Sequence, residues 1–166
     1  MVMSILLVAE LGLQTVSLLS PEINNVLSLQ EQRIKDPVLG VRPNPQYPGH
    51  DRKGFRNKSI PDDVTILALG DSQTYGAGVC EEEAWPQQLA ALLRVETYNM
   101  AFSSYGPVHS LLLMDEACAM EPKIIIEAFY AGNDLYDAYH LVYGRGQHPD
   151  LKTNDIQVLT ALADAE

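Results

Sequence analysis

Two cysteines in 166 residues, Cys80 and Cys118, form no C-x-x-C pair, which leaves neither a disulfide framework nor a thiolate cage for a metal. Both read as small apolar fillers. Histidine is also sparse, and His50, His109, His140 and His148 include no H-x-x-x-H pair, so no zinc site of the usual spacing is present. No metal and no cofactor is expected. Basic residues number 11 against 22 acidic ones, for a formal net charge of -11. Without a basic cluster, such a chain repels a nucleic-acid backbone, and a small or neutral substrate is the better expectation.

Long apolar runs are missing too. The most apolar stretch, Met1 to Ala9, is followed by Glu10 and Gln14, short of the roughly 20 apolar residues that span a bilayer. It has no positively charged leader and no small-residue cleavage site, which argues against a standard signal peptide. Three readings of residues 1–20 stay open: the trimmed end of a membrane anchor, an amphipathic helix with Leu7, Leu11, Leu18 and Leu19 on one face, and disorder. Localisation stays open with them, between membrane-anchored or extracytoplasmic and cytoplasmic.

What is present is enough apolar residue, 46%, for one globular core. Three segments are expected: an apolar or amphipathic stretch at 1–35, a Pro-rich connector at 36–62, and an organised domain at 63–166. Five of the ten prolines fall at Pro37, Pro43, Pro45, Pro48 and Pro61, so the connector reads as extended chain, either a solvated linker or a loop over a binding site.

From Asp63 the apolar pattern becomes regular. VTILALG is a short β-branched apolar run, VETYNM and KIIIEAFY follow as second and third strands, and helical stretches separate them. Trp85, Leu89 and Leu92 are expected on the inner face of the first long helix, and Val108, Leu111, Leu112 and Cys118 on that of the second. A third helix is expected over 134–143 and a short one from Asp155. This β-α-β-α-β-α order specifies an α/β fold with a parallel sheet, strand order 2-1-3 and right-handed crossovers. An unpaired, isoleucine-rich third strand would then form one edge.

The polar motifs follow the strands. Asp71-Ser72 comes after the first, Ser103 to Gly106 after the second, and Gly132-Asn133-Asp134 after the third. All three therefore lie beyond the carboxyl ends of parallel strands, where open α/β sheets bind ligands. A serine oxygen beside several N–H donors is the equipment of acyl transfer.

GDSQTYG, residues 70–76, resembles the first block of the SGNH (GDSL-type) hydrolases, and AGNDL, residues 131–135, resembles their third. The resemblance covers Val64 to Tyr143. It implies a flavodoxin-like three-layer α/β/α sandwich and a serine esterase acting on small or carbohydrate-linked acyl esters, or a related O-acyltransferase. It implies Ser72 as nucleophile and as one oxyanion donor through its backbone N–H, with the Asn133 amide as another. Gly70, Asp71, Gly132 and Asp134 are read as supporting residues. The family's oxyanion glycine, five residues after an Asn, corresponds to Ser104 when counted from Asn99, with Gly106 two further on; either is a candidate donor. Gln73 stands where the family name has leucine.

The family's base is a histidine in a D-x-x-H block after the last strand of a five-stranded sheet, and no such block follows here. The chain is therefore expected to correspond to the N-terminal part of a longer hydrolase, with three strands, and the alternative function is a non-catalytic binding or membrane-associated module. A literal D-x-x-H does occur at Asp137 to His140, but a helix would carry His140 about 10 Å from the Asn133 edge. A base must come within about 3 Å of its hydroxyl. His109 lies nearer the expected site, without an obvious orienting acid.

Overall fold

Three short apolar segments build the centre of the molecule. Ile66–Gly70 (β3), Thr97–Asn99 (β4) and Ile124–Ala128 (β5) form a parallel sheet in the order β4-β3-β5, the expected order. The computed structural model describes Gly12, Thr15 and residues 31–165, so apart from those two residues the expected apolar segment at 1–20 lies outside the described residues. No described helix is long and apolar enough to cross a membrane. Every residue of β3 is buried, as a strand paired on both sides and covered on both faces must be.

The helices are Ser72–Tyr75 (α1), Trp85–Leu93 (α2), Pro107–Cys118 (α3), Asp134–Tyr139 (α4) and Ile156–Ala165 (α5). Pro86 and Pro107 stand in the first turns of α2 and α3, where a missing N–H costs nothing. The expected third helix ends early: at Tyr139 it widens into a π-turn, His140–Gly144.

Helix faces depart from expectation. In α3 the buried residues are His109, Ser110, Leu113 and Ala117, while Leu111 is 57% exposed and Cys118 is also exposed. The run Ser110 to Met114 is apolar almost all round, so periodicity could not select the face. Leu92 of α2, expected inside, is 79% exposed.

The larger correction concerns residues 36–62. Arg33–Asp36 (β1) and Gly40–Pro43 (β2) form an antiparallel hairpin, so the expected boundary between 35 and 36 falls inside a strand. The Asp36 carboxylate accepts the N–H groups of Val38 and Leu39 at 2.8 and 2.7 Å, and Gly40 takes φ +75°. This is a side-chain-closed turn that the D-P-V-L-G string encodes.

The rest of the segment is packed chain, not a solvated linker. Phe55 is fully buried, its ring edge-on to Tyr98 at 6.1 Å, and Leu39 joins the same core. Asn57 acts as a one-residue strand on the outer edge of β4. Its Nδ2 donates to the Asn99 carbonyl and its Oδ1 accepts the Asn99 N–H, both at 2.9 Å. Arg42 and Lys53 both pair with Glu116 of α3, which fixes hairpin and connector to the helix layer.

Candidate active site

Gly70 ends β3 with φ +152°, and a Cβ there would stand 2.5 Å from Thr74 Oγ1 and 3.0 Å from the Ala128 carbonyl oxygen. Only glycine fits. Asp71 then caps α1, its carboxylate accepting the Gln73 N–H at 2.8 Å, and Ser72 is the first helical residue. Gly76 closes the turn in the left-handed conformation, φ +81°.

This turn is held from several sides. Asn99 Nδ2 donates to the Thr74 carbonyl at 2.8 Å, and the Trp85 indole N–H donates to Thr74 Oγ1 at 3.2 Å. The Arg56 guanidinium donates to the carbonyls of Gly76 and Val79 at 2.6 and 2.8 Å. Ser72 is thus a half-buried side chain on an immobilised backbone. Its Oγ lies 3.4 Å from Asp71 Oδ2, a long contact that leaves the hydroxyl weakly held.

The other two loops meet this one at the carboxyl end of the sheet. Gly70 pairs in register with Ala128, and Gly106 lies so close to α4 that a Cβ would stand 2.6 Å from the Asp134 carbonyl oxygen. Asp134 is fully buried. Its Oδ2 accepts the Tyr130 N–H at 2.7 Å, and its Oδ1 has no partner. Burial holds this carboxyl above the usual carboxylate range against the pull of that N–H, and the nearby Asp71 and Asp137 charges add to the rise. A Cβ at Gly132 would stand 2.4 Å from the half-exposed Tyr130 ring, which would have to turn aside.

The expected donors differ in availability. Ser104 is exposed and takes φ +69°, the left-handed conformation that glycine adopts most easily. The Gly106 N–H is occupied by His109 Nδ1 at 3.1 Å. Asn133 precedes α4, half-buried, with its amide donating to Asp137 Oδ2.

The same bond removes the aspartate from the literal D-x-x-H. Asp137 holds Asn133, while His140 is exposed and stacked on Tyr136 with ring centroids 6.0 Å apart. His109 is buried against Tyr105, and burial, with the Arg145 charge nearby, pushes its pKa down to about 4. It is a neutral acceptor that fixes the start of α3.

The histidine that the fold ties to the Ser72 turn is His50, which sequence reading did not select. Its Nδ1 meets the Asn44 carbonyl at 2.8 Å, and its Nε2 meets the hydroxyl of Tyr75, one turn after Ser72, at 2.9 Å. Burial lowers its pKa. No local signal marks it, because only the folded connector carries residue 50 to residue 75. Among the described residues no histidine hydrogen-bonds Ser72.

Two surface depressions, one lined by Asn57, Lys58, Glu81 and Gln88 and the other by Lys35, Gly40, Arg145 and Gln147, both exclude Ser72. Ser72 lies outside both, directly after the carboxyl end of the central strand. Among the described residues no three His, Cys, Asp or Glu side chains are grouped to hold a metal ion. The chain matches no family model, and no curated protein or solved structure matches it significantly.

Proposed function

We propose that this chain carries the nucleophile of an SGNH-type serine ester hydrolase or a related O-acyl transferase, within an α/β sandwich of that family's kind. One observation supports the reading above the others. Ser72 leaves the central strand of a parallel sheet on a turn fixed at Asp71, Thr74 and Gly76, with its hydroxyl nearly free.

In this reading Ser72 Oγ attacks the acyl carbonyl carbon and gives its proton to a base. The oxyanion is met by backbone N–H groups of Ser72 and Ser104 and by the Asn133 amide once Asp137 releases it. Collapse of the tetrahedral intermediate expels the alcohol and leaves an acyl-serine, which water resolves in a hydrolase and an acceptor hydroxyl in a transferase. The substrate class is a small or carbohydrate-linked acyl ester.

A second reading, a non-catalytic binding or membrane-associated module, draws on a different observation. Asn133 and Gly106 are both engaged within the chain, and no described histidine meets Ser72. Loss of an activating base can cost on the order of 10⁶ in rate.

Labelling with a fluorophosphonate and turnover of p-nitrophenyl acetate separate the two. The esterase reading expects labelling and turnover that both vanish in Ser72→Ala. Equal turnover in the two proteins, with no labelling of either, would leave the binding module.

A further inference from the structure

Tyr75, the last residue of α1, is held by its hydroxyl. Gln32 Nε2 donates to that oxygen at 2.8 Å, and His50 Nε2 meets it at 2.9 Å. Gln32 precedes β1, and Asn44, whose carbonyl meets His50 Nδ1, follows β2. The base of the hairpin therefore grips the Ser72 turn from both of its arms. The Tyr75 ring is buried, edge-on to His50 and Phe102 at 5.8 and 5.6 Å, with the Arg56 guanidinium 5.3 Å from its centroid.

These partners fix where the protons lie. A carbonyl only accepts, so the Asn44 oxygen at 2.8 Å places a proton on His50 Nδ1. In the neutral ring Nε2 is then an acceptor, the Tyr75 hydroxyl donates to it, and the Tyr75 oxygen accepts from Gln32. A second proton on His50 makes Nε2 a donor. The Nε2–H and the Gln32 N–H then both face the Tyr75 oxygen, and the hydroxyl hydrogen has lost its acceptor. The contacts are satisfied again only if Gln32 lets go and turns its amide over, or if Tyr75 moves away.

We infer that His50 is a positioning residue for Ser72: in its neutral form it fixes, through the Tyr75 hydroxyl, the turn that carries the serine, and a proton on it loosens that turn. The hold on the turn follows from these contacts alone. Its consequence for catalysis rests on the ester hydrolase reading.

The constraint reaches Ser72 because α1 is a single turn. The Tyr75 N–H is given to the Asp71 carbonyl at 2.9 Å, and the Gly76 and Ala77 N–H groups to the Ser72 carbonyl at 3.1 and 2.9 Å. The surroundings of His50 set when it charges. Burial lowers its pKa from 6.5 and the Arg56 charge adds to the fall, against the Asn44 carbonyl and the Asp51 carboxylate. That carboxylate is already occupied by the N–H groups of Lys53 and Phe55 and by the Asn57 amide. Tyr47 and Tyr75 are the other titratable groups against the ring, and Arg33 lies over Phe102, whose own ring faces His50. With the folded pKa below 6.5, the neutral form prevails at neutral pH, and the turn loosens as pH falls beneath that value.

Nuclear magnetic resonance on the whole nitrogen-labelled chain, titrated from about pH 7.5 to about pH 4.5, tests this without a substrate. Imidazole nitrogen shifts should show the neutral ring with its proton on Nδ1. Hydrogen-exchange protection of the Tyr75, Gly76 and Ala77 amides, corrected for intrinsic rates and taken relative to the amides of β3, should fall roughly tenfold as His50 takes up its proton. His50→Gln offers Tyr75 an acceptor that binds no proton, and Tyr75→Phe has no hydroxyl to be held, so both should lose that step. The titration of the unaltered chain needs no variant and stands even if one fails to fold. A neutral ring protonated on Nε2, α1 protection that stays level with β3 down to the lowest pH, or a step that persists in both variants overturns the inference. Where p-nitrophenyl acetate is turned over, Tyr75→Phe should lower kcat severalfold at neutral pH and leave KM, and an unchanged kcat overturns the role toward Ser72. Turnover absent from every protein strikes the esterase reading instead, and the exchange result then decides this one.

Discussion

Ser104 has a left-handed backbone although its side chain disfavours it, and the strain is worth about 1–2 kcal/mol. Glycine relieves the strain but adds freedom to the unfolded chain. Ser104→Gly is expected to stabilise the protein by up to about 1 kcal/mol, read from the denaturant midpoint. Its N–H would keep its direction, so any turnover should survive. His109 gives the pH dependence. Its folded pKa of about 4 lies below the ordinary 6.5, so the unfolded chain binds the extra proton between those values. The stability it contributes is whole above pH 6.5 and is lost as pH falls toward 4, by about 3 kcal/mol at most. His109→Gln cannot take up that proton and should flatten the profile across this window in urea titrations followed by circular dichroism.

At the scale of elements, side chains finish what short strands leave undone. β4 has three residues, and the Asn57 amide supplies the bonds that a neighbouring strand would have made. Asn57→Ala strands the buried N–H and carbonyl of Asn99 and should cost about 2–3 kcal/mol in chemical denaturation. Asn57→Asp should recover nothing, since its carboxylate would face both the Asn99 carbonyl and the buried Asp51 carboxylate, which accepts the Asn57 amide at 3.1 Å. The strands themselves were legible: ILALG, TYN and IIIEA are continuous apolar or β-branched runs bounded by turn residues. The helix faces were less so. α3 is apolar on several sides, and its orientation follows from which side chains the sheet covers, with His109 and Ser110 inside and Leu111 outside.

At the scale of the whole molecule, the Pro-rich segment, expected as a solvated linker or a loop over a binding site, is packed into the body of the protein. Phe55 is fully buried in the main cluster, and Arg42 and Lys53 converge on Glu116. Phe55→Ala should therefore destabilise global unfolding by about 3–5 kcal/mol. Trp85 fluorescence and far-UV circular dichroism should lose their signals together; a separate early transition confined to the segment would contradict this. The segment looked like linker because its apolar residues follow no period. Phe55 and Leu39 are single anchors, and a single anchor leaves no trace in a windowed pattern.

The sequence alone determined the strands, their order and the sheet edge that the loops carrying Ser72, Ser104, Gly106 and Asn133 follow, because alternation of strand and helix admits one crossover hand and the loops after parallel strands leave from the same edge. Tertiary structure alone decided what each polar group touches. Asn133 is bound to Asp137, Gly106 to His109, and His50 to the Tyr75 hydroxyl on the Ser72 turn. Hydrogen bonds act over about 3 Å, and which atoms come that close depends on the packing of segments far apart in the chain.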